Sequence, residues 1–189
     1  MKRRYHMANH ELNDLIDDVV IIQPEVHADA RGKFQETYRR SWFPLGREMV
    51  QGSRSDKIAG SLVGLHYHLH QADYWYIVDG TAQVVLYDLR PDSPTHDTVM
   101  DLEMGETNPI GVFIPPGVAH GFATLTDITL TYLVDGYYNP SDELGIRWDD
   151  PRFRNVWRLV DPVVSQRDQT NPNLSDIDPG LLPHGRPRT

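Results

Sequence analysis

Between Gly60 and Gly80 the chain reads GSLVGLHYHLHQADYWYIVDG, and this stretch limits the fold more than any other. His66, His68 and His70 alternate with Tyr67 and Leu69. Side chains of an extended strand alternate between faces, so all three imidazoles are expected on one face. Gln71 and Ala72 lead into Asp73 and a second, aromatic-rich strand closed by Gly80. The pattern predicts a hairpin that carries imidazoles and a carboxylate into one cavity. Imidazole binds a metal or moves a proton, and the spacing alone leaves both open.

The remaining chain supplies partners of the same kind. Short β-branched or alternating runs at 19–22, 50–55, 61–70, 74–78, 81–89, 98–103, 111–114, 121–125 and 128–134 are separated by Gly, Pro and Asp turns. Within 81–89, Gln83, Val85 and Tyr87 alternate with Val84, Leu86 and Asp88. Residues 27–36 read as a loop running into a strand, and 41–48 allow one helical turn, with Pro44 suited only to its start. Many short strands with little helical periodicity predict an all-β barrel or double-sheet sandwich. Three segments are expected: a polar lead at 1–17 (a short helix at 11–18, or disorder), one domain over 18–172, and a loose tail at 173–189. Beyond Asn139 the chain turns irregular, with Trp148, Phe153, Trp157 and Leu159 as anchors.

Composition narrows the partners. With 189 residues and 39% hydrophobic content the chain is long enough for a proper core. A net charge of −9 argues against broad binding to nucleic acid or an anionic membrane, so any phosphate site must be a local Arg cluster. There is no Cys, hence no disulfide framework, and no apolar run reaches the ~18 residues of a membrane span. The basic start lacks an apolar core of the secretory kind, so a cytoplasmic protein is the expectation.

Two resemblances sharpen these expectations. The spacing Gly60-x5-His66-x-His68-x4-Asp73-x6-Gly80 resembles the first signature motif of the cupin superfamily, with Asp where Glu is commoner. Pro115-x-Gly117-x2-His120 resembles the second motif, with Thr124 where the superfamily usually has Asn. The resemblance implies a cupin-type double-stranded β-helix, a jelly-roll barrel with short peripheral helices and an irregular C-terminal tail. In metal-binding cupins the matching residues, here His66, His68, Asp73 and His120, ligate one divalent ion (Fe, Mn, Ni, Cu or Zn). Any one of these histidines alone reads as an ordinary polar residue of a cavity wall; three in alternation with an acid close behind read as a site. His70 is expected to be structural or to sit at the mouth.

The longer resemblance spans roughly residues 25–172. It rests on Asp29-Ala-Arg31-Gly32-Lys-Phe34-Gln-Glu36, Ser53-Arg-Ser55, Gly64-Leu-His66-Tyr67, Asp88-Leu-Arg90, Ser93-Pro94-Thr95 and Ile114-Pro115-Pro-Gly117-Val-Ala-His120-Gly121-Phe122. Tyr137-Tyr138, Glu143-x-Gly145-Ile146-Arg147-Trp148-Asp149-Asp150-Pro151 and Ser165-Gln-Arg167-Asp168 follow in order. Together they are similar to the dTDP-4-dehydrorhamnose 3,5-epimerase family, homodimeric cupin-fold isomerases acting on a nucleotide-linked 4-keto-6-deoxyhexose. The resemblance implies His66 as base, Asp168 behind it, and Tyr132 as the opposing acid. It implies Arg31, Glu36, Gln51, His120, Glu143 and Arg167 as contacts to the sugar nucleotide, and no cofactor. Standing alone, Tyr132 reads as strand packing, and Arg31 and Glu36 as surface ion pairs.

Three positions depart from the epimerase pattern. Val63 stands where the family usually has Arg, His68 where it has Gln, and Asp73 where it has the Lys that helps stabilise the enolate oxygen. An anion beside a developing enolate has the wrong sign, whereas His68 and Asp73 are what a metal cupin requires. The two readings compete for His66, because an imidazole bound to metal cannot also act as base. The alternatives are therefore a metal-dependent cupin enzyme of another class (dioxygenase, isomerase or lyase) on a small oxygenated substrate, and a non-catalytic sugar-nucleotide-binding cupin.

Overall fold

The computed structural model describes residues 9–12, 15–43 and 47–183. Its strands are β1 (Asn9–Leu12), β2 (Val20–Gln23), β3 (His27–Asp29), β4 (Gly32–Phe34), β5 (Gln51–Lys57), β6 (Ser61–Tyr67) and β7 (Asp73–Asp79). They continue as β8 (Thr81–Asp88), β9 (Val99–Gly105), β10 (Gly111–Ile114), β11 (Val118–Thr124), β12 (Ile128–Val134), β13 (Leu144–Gly145) and β14 (Val163–Val164). One short helix, α1 (Gln166–Thr170), and 3-10 turns at Arg40–Trp42, Leu174–Asp176 and Pro179–Leu181 complete the elements. Among the described residues no helix is long and apolar enough to cross a membrane.

The strands form two facing sheets, ordered β1-β2-β10-β7-β12-β5 and β13-β6-β11-β8-β9, with β14 added in parallel beside β6 and β3-β4 a separate hairpin. This is the expected all-β, cupin-type barrel. Alternation assigns the faces. Ala82, Val84 and Leu86 of β8 point into the barrel with Trp75, Ile77, Val112, Ile114, Phe122 and Leu130, while Val85 and Tyr87 point outward.

Both sheets are also covered from outside, which is why β7 and β11 read as continuous buried runs rather than alternating ones. Trp42 and Phe43 close over Val20, Ile22, Tyr74, Tyr76 and Phe113 on the first sheet. On the second, Ile146, Phe153, Trp157 and Ile177 close over Leu62, Leu65, Val85 and Tyr87. The anchors expected after Asn139 are in this outer layer, Phe153 and Trp157 buried and Trp148 and Leu159 packed against them.

Several sequence expectations are corrected. In place of a helix or disorder over 11–18, residues 9–12 form β1, antiparallel to β2, because the outer edge of β2 offers unpaired backbone groups. The helical turn expected over 41–48 is a 3-10 turn at Arg40–Trp42, while Pro44 lies outside the described residues. The loop-and-strand expected over 27–36 is the β3–β4 hairpin.

The tail expected to be loose is packed as far as Pro183. Ile177 is buried, Leu174 and Leu182 pack beside it, and the Tyr67 hydroxyl donates to the Leu181 carbonyl at 3.1 Å. Apolar residues spaced three to five apart among Asp and Pro carry too weak a period to be read as an anchor. Residues 184–189 lie outside the described part.

The turn after β8 is fixed by a buried carboxylate. Asp88 has no exposed surface. It accepts from Arg90 Nε and Nη2 at 2.8 Å each, from Ser93 Oγ at 2.6 Å and from Thr95 Oγ1 at 2.8 Å. Burial alone would raise its pKa. The Arg90 guanidinium and the two hydroxyls outweigh burial and hold the carboxyl below its ordinary range. A folded pKa below the unfolded one adds stability that is present above the unfolded value and fades as pH falls through the folded value. Asp88→Asn is therefore expected to cost about 3 kcal/mol at pH 7 in urea denaturation. The gap to wild type should narrow only as pH drops below 3.8, the ordinary carboxyl value.

Candidate active site

The site is organised by an irregularity in β6. Leu62, Leu65 and Tyr67 pack in the outer layer, while Val63 packs against the barrel interior. The in-out alternation therefore slips by one at Gly64, and the β6–β11 register shifts at the same place. Gly64 has φ +108°, and a Cβ added there would lie 2.7 Å from the His120 carbonyl oxygen and 2.8 Å from Gly121 Cα. Only glycine suits that backbone and that approach. Gly121 answers it from β11, where a Cβ would lie 2.6 Å from the Val63 carbonyl oxygen. Beyond the bulge His66 lies opposite His120 in register and faces inward, between outward-facing Leu65 and Tyr67.

Asp168 reaches His66 from 102 residues away. β14 runs parallel to β6, with Val163 beside Ser61 and Val164 beside Leu62, and α1 begins immediately after it. Ser165 caps that helix by accepting from the Asp168 N–H at 3.1 Å. Asp168 is then buried with Oδ1 2.6 Å from His66 Nε2 and Oδ2 accepting from the Gly64 N–H at 3.4 Å. Burial alone would raise this carboxyl, but the His66 hydrogen bond and charge, with Gly64 and Ser165, hold it below its ordinary range. An anionic carboxylate on Nε2 fixes that proton in place and leaves Nδ1 as the free, basic nitrogen.

A second group lies beside it. His68, Asp73 and His120 are all buried, and one ligand atom from each lies within 4.8 Å of the others. His68 sits just past β6, Asp73 opens β7, and His120 is central in β11. Burial, more than any neighbouring charge, holds the His120 pKa well below that of an ordinary imidazole; Asp73 pulls it the other way. Its ring also meets Trp75 edge-on, with centroids 5.0 Å apart.

The four-ligand set expected from the cupin spacing does not form. His66 is committed to Asp168, and the other three converge without it. His70 is exposed. Sequence reasoning missed Asp142, whose carboxylate accepts from the N–H groups of Leu69, His70 and Gln71 and so shapes the β6–β7 turn. An Asp among other Asp, Pro and Asn residues carried no signal of that contact.

Other expected site residues are placed less centrally. Tyr132 is half-buried on β12 against the interior cluster, opposite Trp75 in register. Glu143 pairs with Arg167 at 3.1 Å at the edge of the site, and Gln51 Oε1 accepts from the Tyr138 N–H at 3.3 Å. Arg31 and Glu36 do not approach the cluster within this chain. Arg31, with its side chain 89% exposed, pairs with Asp29 at the tip of the β3–β4 hairpin, and Glu36 pairs with Arg39.

The dTDP-4-dehydrorhamnose 3,5-epimerase family profile matches residues 13–176. The chain belongs to that family. It is 41% identical over 147 residues to the spore coat polysaccharide biosynthesis protein SpsL of Bacillus subtilis, covering 76% of this chain and 97% of SpsL. To the dTDP-4-dehydrorhamnose 3,5-epimerase of Shigella flexneri it is 33% identical over 171 residues, covering 86% and 94%. It is also similar to the crystal structure of the Legionella pneumophila epimerase in complex with dTDP-4-keto-L-rhamnose, with a TM-score of 0.87 and 30% identity, covering 95% of this chain and all of that one. This epimerase-family chain is accordingly an enzyme of the isomerase class with a cupin-type barrel.

Gly64→Ala tests the bulge. Forcing a Cβ into this backbone is expected to cost about 2 kcal/mol or more in denaturation. It should also weaken the His66–Asp168 contact, read as loss of the low-field Nε2 proton resonance of that pair.

Proposed function

We propose that this chain epimerises a dTDP-linked 4-keto-6-deoxyhexose by proton transfer at a carbon next to the ketone. The observation that carries the reading is the 2.6 Å contact between His66 Nε2 and buried Asp168 Oδ1. It makes Nδ1 the free base and gives the imidazolium formed during reaction a fixed counter-charge.

The C–H bond beside the carbonyl breaks, its proton passes to His66 Nδ1, and its electron pair moves into the carbonyl to give an enolate. Tyr132, on the strand two removed from β10 across β7, returns a proton from its hydroxyl to the opposite face of the same carbon. The product is the inverted stereocentre, with the ketone restored and no net redox change. No electron-carrying cofactor is required by that balance.

Glu143, Arg167 and Gln51 are proposed to hold the sugar nucleotide, Arg167 serving its diphosphate in an otherwise acidic protein. Arg31, at the tip of the exposed β3–β4 hairpin, and Glu36, two residues beyond exposed Phe34, are proposed to serve a neighbouring copy in a homodimer. A cytoplasmic location fits a nucleotide-sugar substrate.

Solvent deuterium exchange into a dTDP-4-keto-6-deoxyhexose, followed by mass spectrometry, tests the reading. Wild type should incorporate deuterium beside the ketone. His66→Ala should lower the rate by about 10³-fold or more, and Asp168→Asn by at least about 10²-fold. Wild-type protein that binds the nucleotide sugar without exchanging would sink the reading.

A further inference from the structure

Asp73 is a buried carboxylate without the support its counterparts have. Asp88 has Arg90, Asp168 has His66, and Asp142 and Asp150 have backbone N–H groups. Asp73 receives one neutral donor on each oxygen, Gln71 Nε2 at 2.9 Å and Trp75 Nε1 at 3.1 Å. Its ionic neighbours are His68 Nε2 and His120 Nε2, each 3.8 Å away on a different oxygen.

The two imidazoles are turned the same way. His68 Nδ1 lies 2.6 Å from the Asp142 carbonyl oxygen and His120 Nδ1 lies 3.0 Å from that of Val118. A carbonyl only accepts, so both rings carry their proton on Nδ1. In each neutral ring the Nε2 lone pair then faces the carboxylate. Two lone pairs and an anion converging in a buried pocket repel unless a positive charge sits among them. Gln71 Nε2, 3.3 Å from His68 Nε2, relieves that ring in part, whereas His120 Nε2 faces Asp73 Oδ2 at 3.8 Å.

We propose that His68 Nε2, His120 Nε2 and the Asp73 carboxylate bind one first-row divalent metal ion. Two imidazoles and one carboxylate suit Fe, Co, Ni, Mn or Zn and leave coordination positions open. The backbone carbonyls on Nδ1 hold each ring in the tautomer a ligand requires. Donors about 2.1 Å from an ion stand roughly 3.0–3.4 Å apart. Here each imidazole stands 3.8 Å from a different carboxylate oxygen and the three donors lie within 4.8 Å of one another, so binding draws them together by about 1–2 Å. His66 is not a ligand and stays free to work with Asp168, so metal and base no longer compete for one imidazole. Bound there, the ion would supply positive charge for a substrate carbonyl oxygen. That role rests on the epimerase reading, whereas the site itself does not.

The test uses untagged full-length protein. Metal analysis after purification, followed by chelator treatment and titration with cobalt(II), should give about one ion per chain and d–d absorption bands of a mixed nitrogen–oxygen site. Asp73→Asn and His120→Gln should each weaken cobalt binding by about 10-fold or more. His66→Ala should keep the bands while losing deuterium exchange. Circular dichroism confirms that each variant is folded, and Asp73→Glu should restore cobalt binding if the carboxylate is the ligand.

Wild type that gives no cobalt bands with excess ion, or bands that vanish in His66→Ala, would overturn the site. Exchange undiminished in metal-stripped protein would overturn the ion's role and leave the epimerase reading intact. A loaded site in protein that never exchanges would do the reverse.

Discussion

The hydrogen bonds that Asp168 makes to Gly64 and His66 are the contacts on which the rest of the site depends. One carboxylate accepts from the backbone of the β6 bulge and holds the imidazole two residues further on. The bulge turns His66 inward while keeping Leu65 and Tyr67 in the outer layer. The outer layer in turn holds the segment that delivers Asp168, since Val164 of β14 packs into the cluster that contains Phe153 and Trp157. Packing on the outside of the barrel therefore sets a hydrogen bond on the inside. Residues far from the reacting atoms act through this loop of contacts and not through any direct role in proton transfer.

Charge is distributed unusually inside the barrel. The family's chemistry develops negative charge on a carbonyl oxygen, and such charge is stabilised by a preorganised cation or hydrogen-bond donors. Here Asp73 adds an anion, and apolar Val63 supplies no cation to offset it. His68 stands with Asp73 and His120 in one buried group. The three departures are thus neighbours of one barrel interior, where a change at one alters the electrostatic demand on the others.

Much of this was legible in the chain. The short strands and their turns predicted the barrel, and the two alternating sets read in β8 are the ones the structure separates, Val84 and Leu86 inside and Val85 and Tyr87 in the outer layer. The Gly-Leu-His, Ser-Gln-Arg-Asp and Gly-Ile-Arg-Trp runs identified the family without any structure. What stayed hidden were contacts that depend on a one-residue slip or on a partner far along the chain. A perfect strand would have put His66, His68 and His70 on one face; the end of β6 instead leaves His70 in solvent. Nothing local to Asp142 announces that it caps the β6–β7 turn, and the sparse apolar residues near Ile177 gave no period to read.

The three imidazoles near the site have the same intrinsic chemistry, and the structure separates them by what holds the second nitrogen. A carboxylate on His66 Nε2 fixes that ring's tautomer and places a full negative charge in hydrogen-bond contact with it. A backbone carbonyl on His68 Nδ1 and on His120 Nδ1 fixes a tautomer, while the nearest carboxylates stand off, Asp73 at 3.8 Å from each Nε2 and Glu143 at 4.0 Å from His68 Nδ1. Burial adds a desolvation cost that holds His120 neutral. The first environment suits a group that must accept and release a proton. The second suits one that must present a lone pair. Histidines two residues apart in sequence can therefore do different work, and the side chain or carbonyl behind each ring decides which.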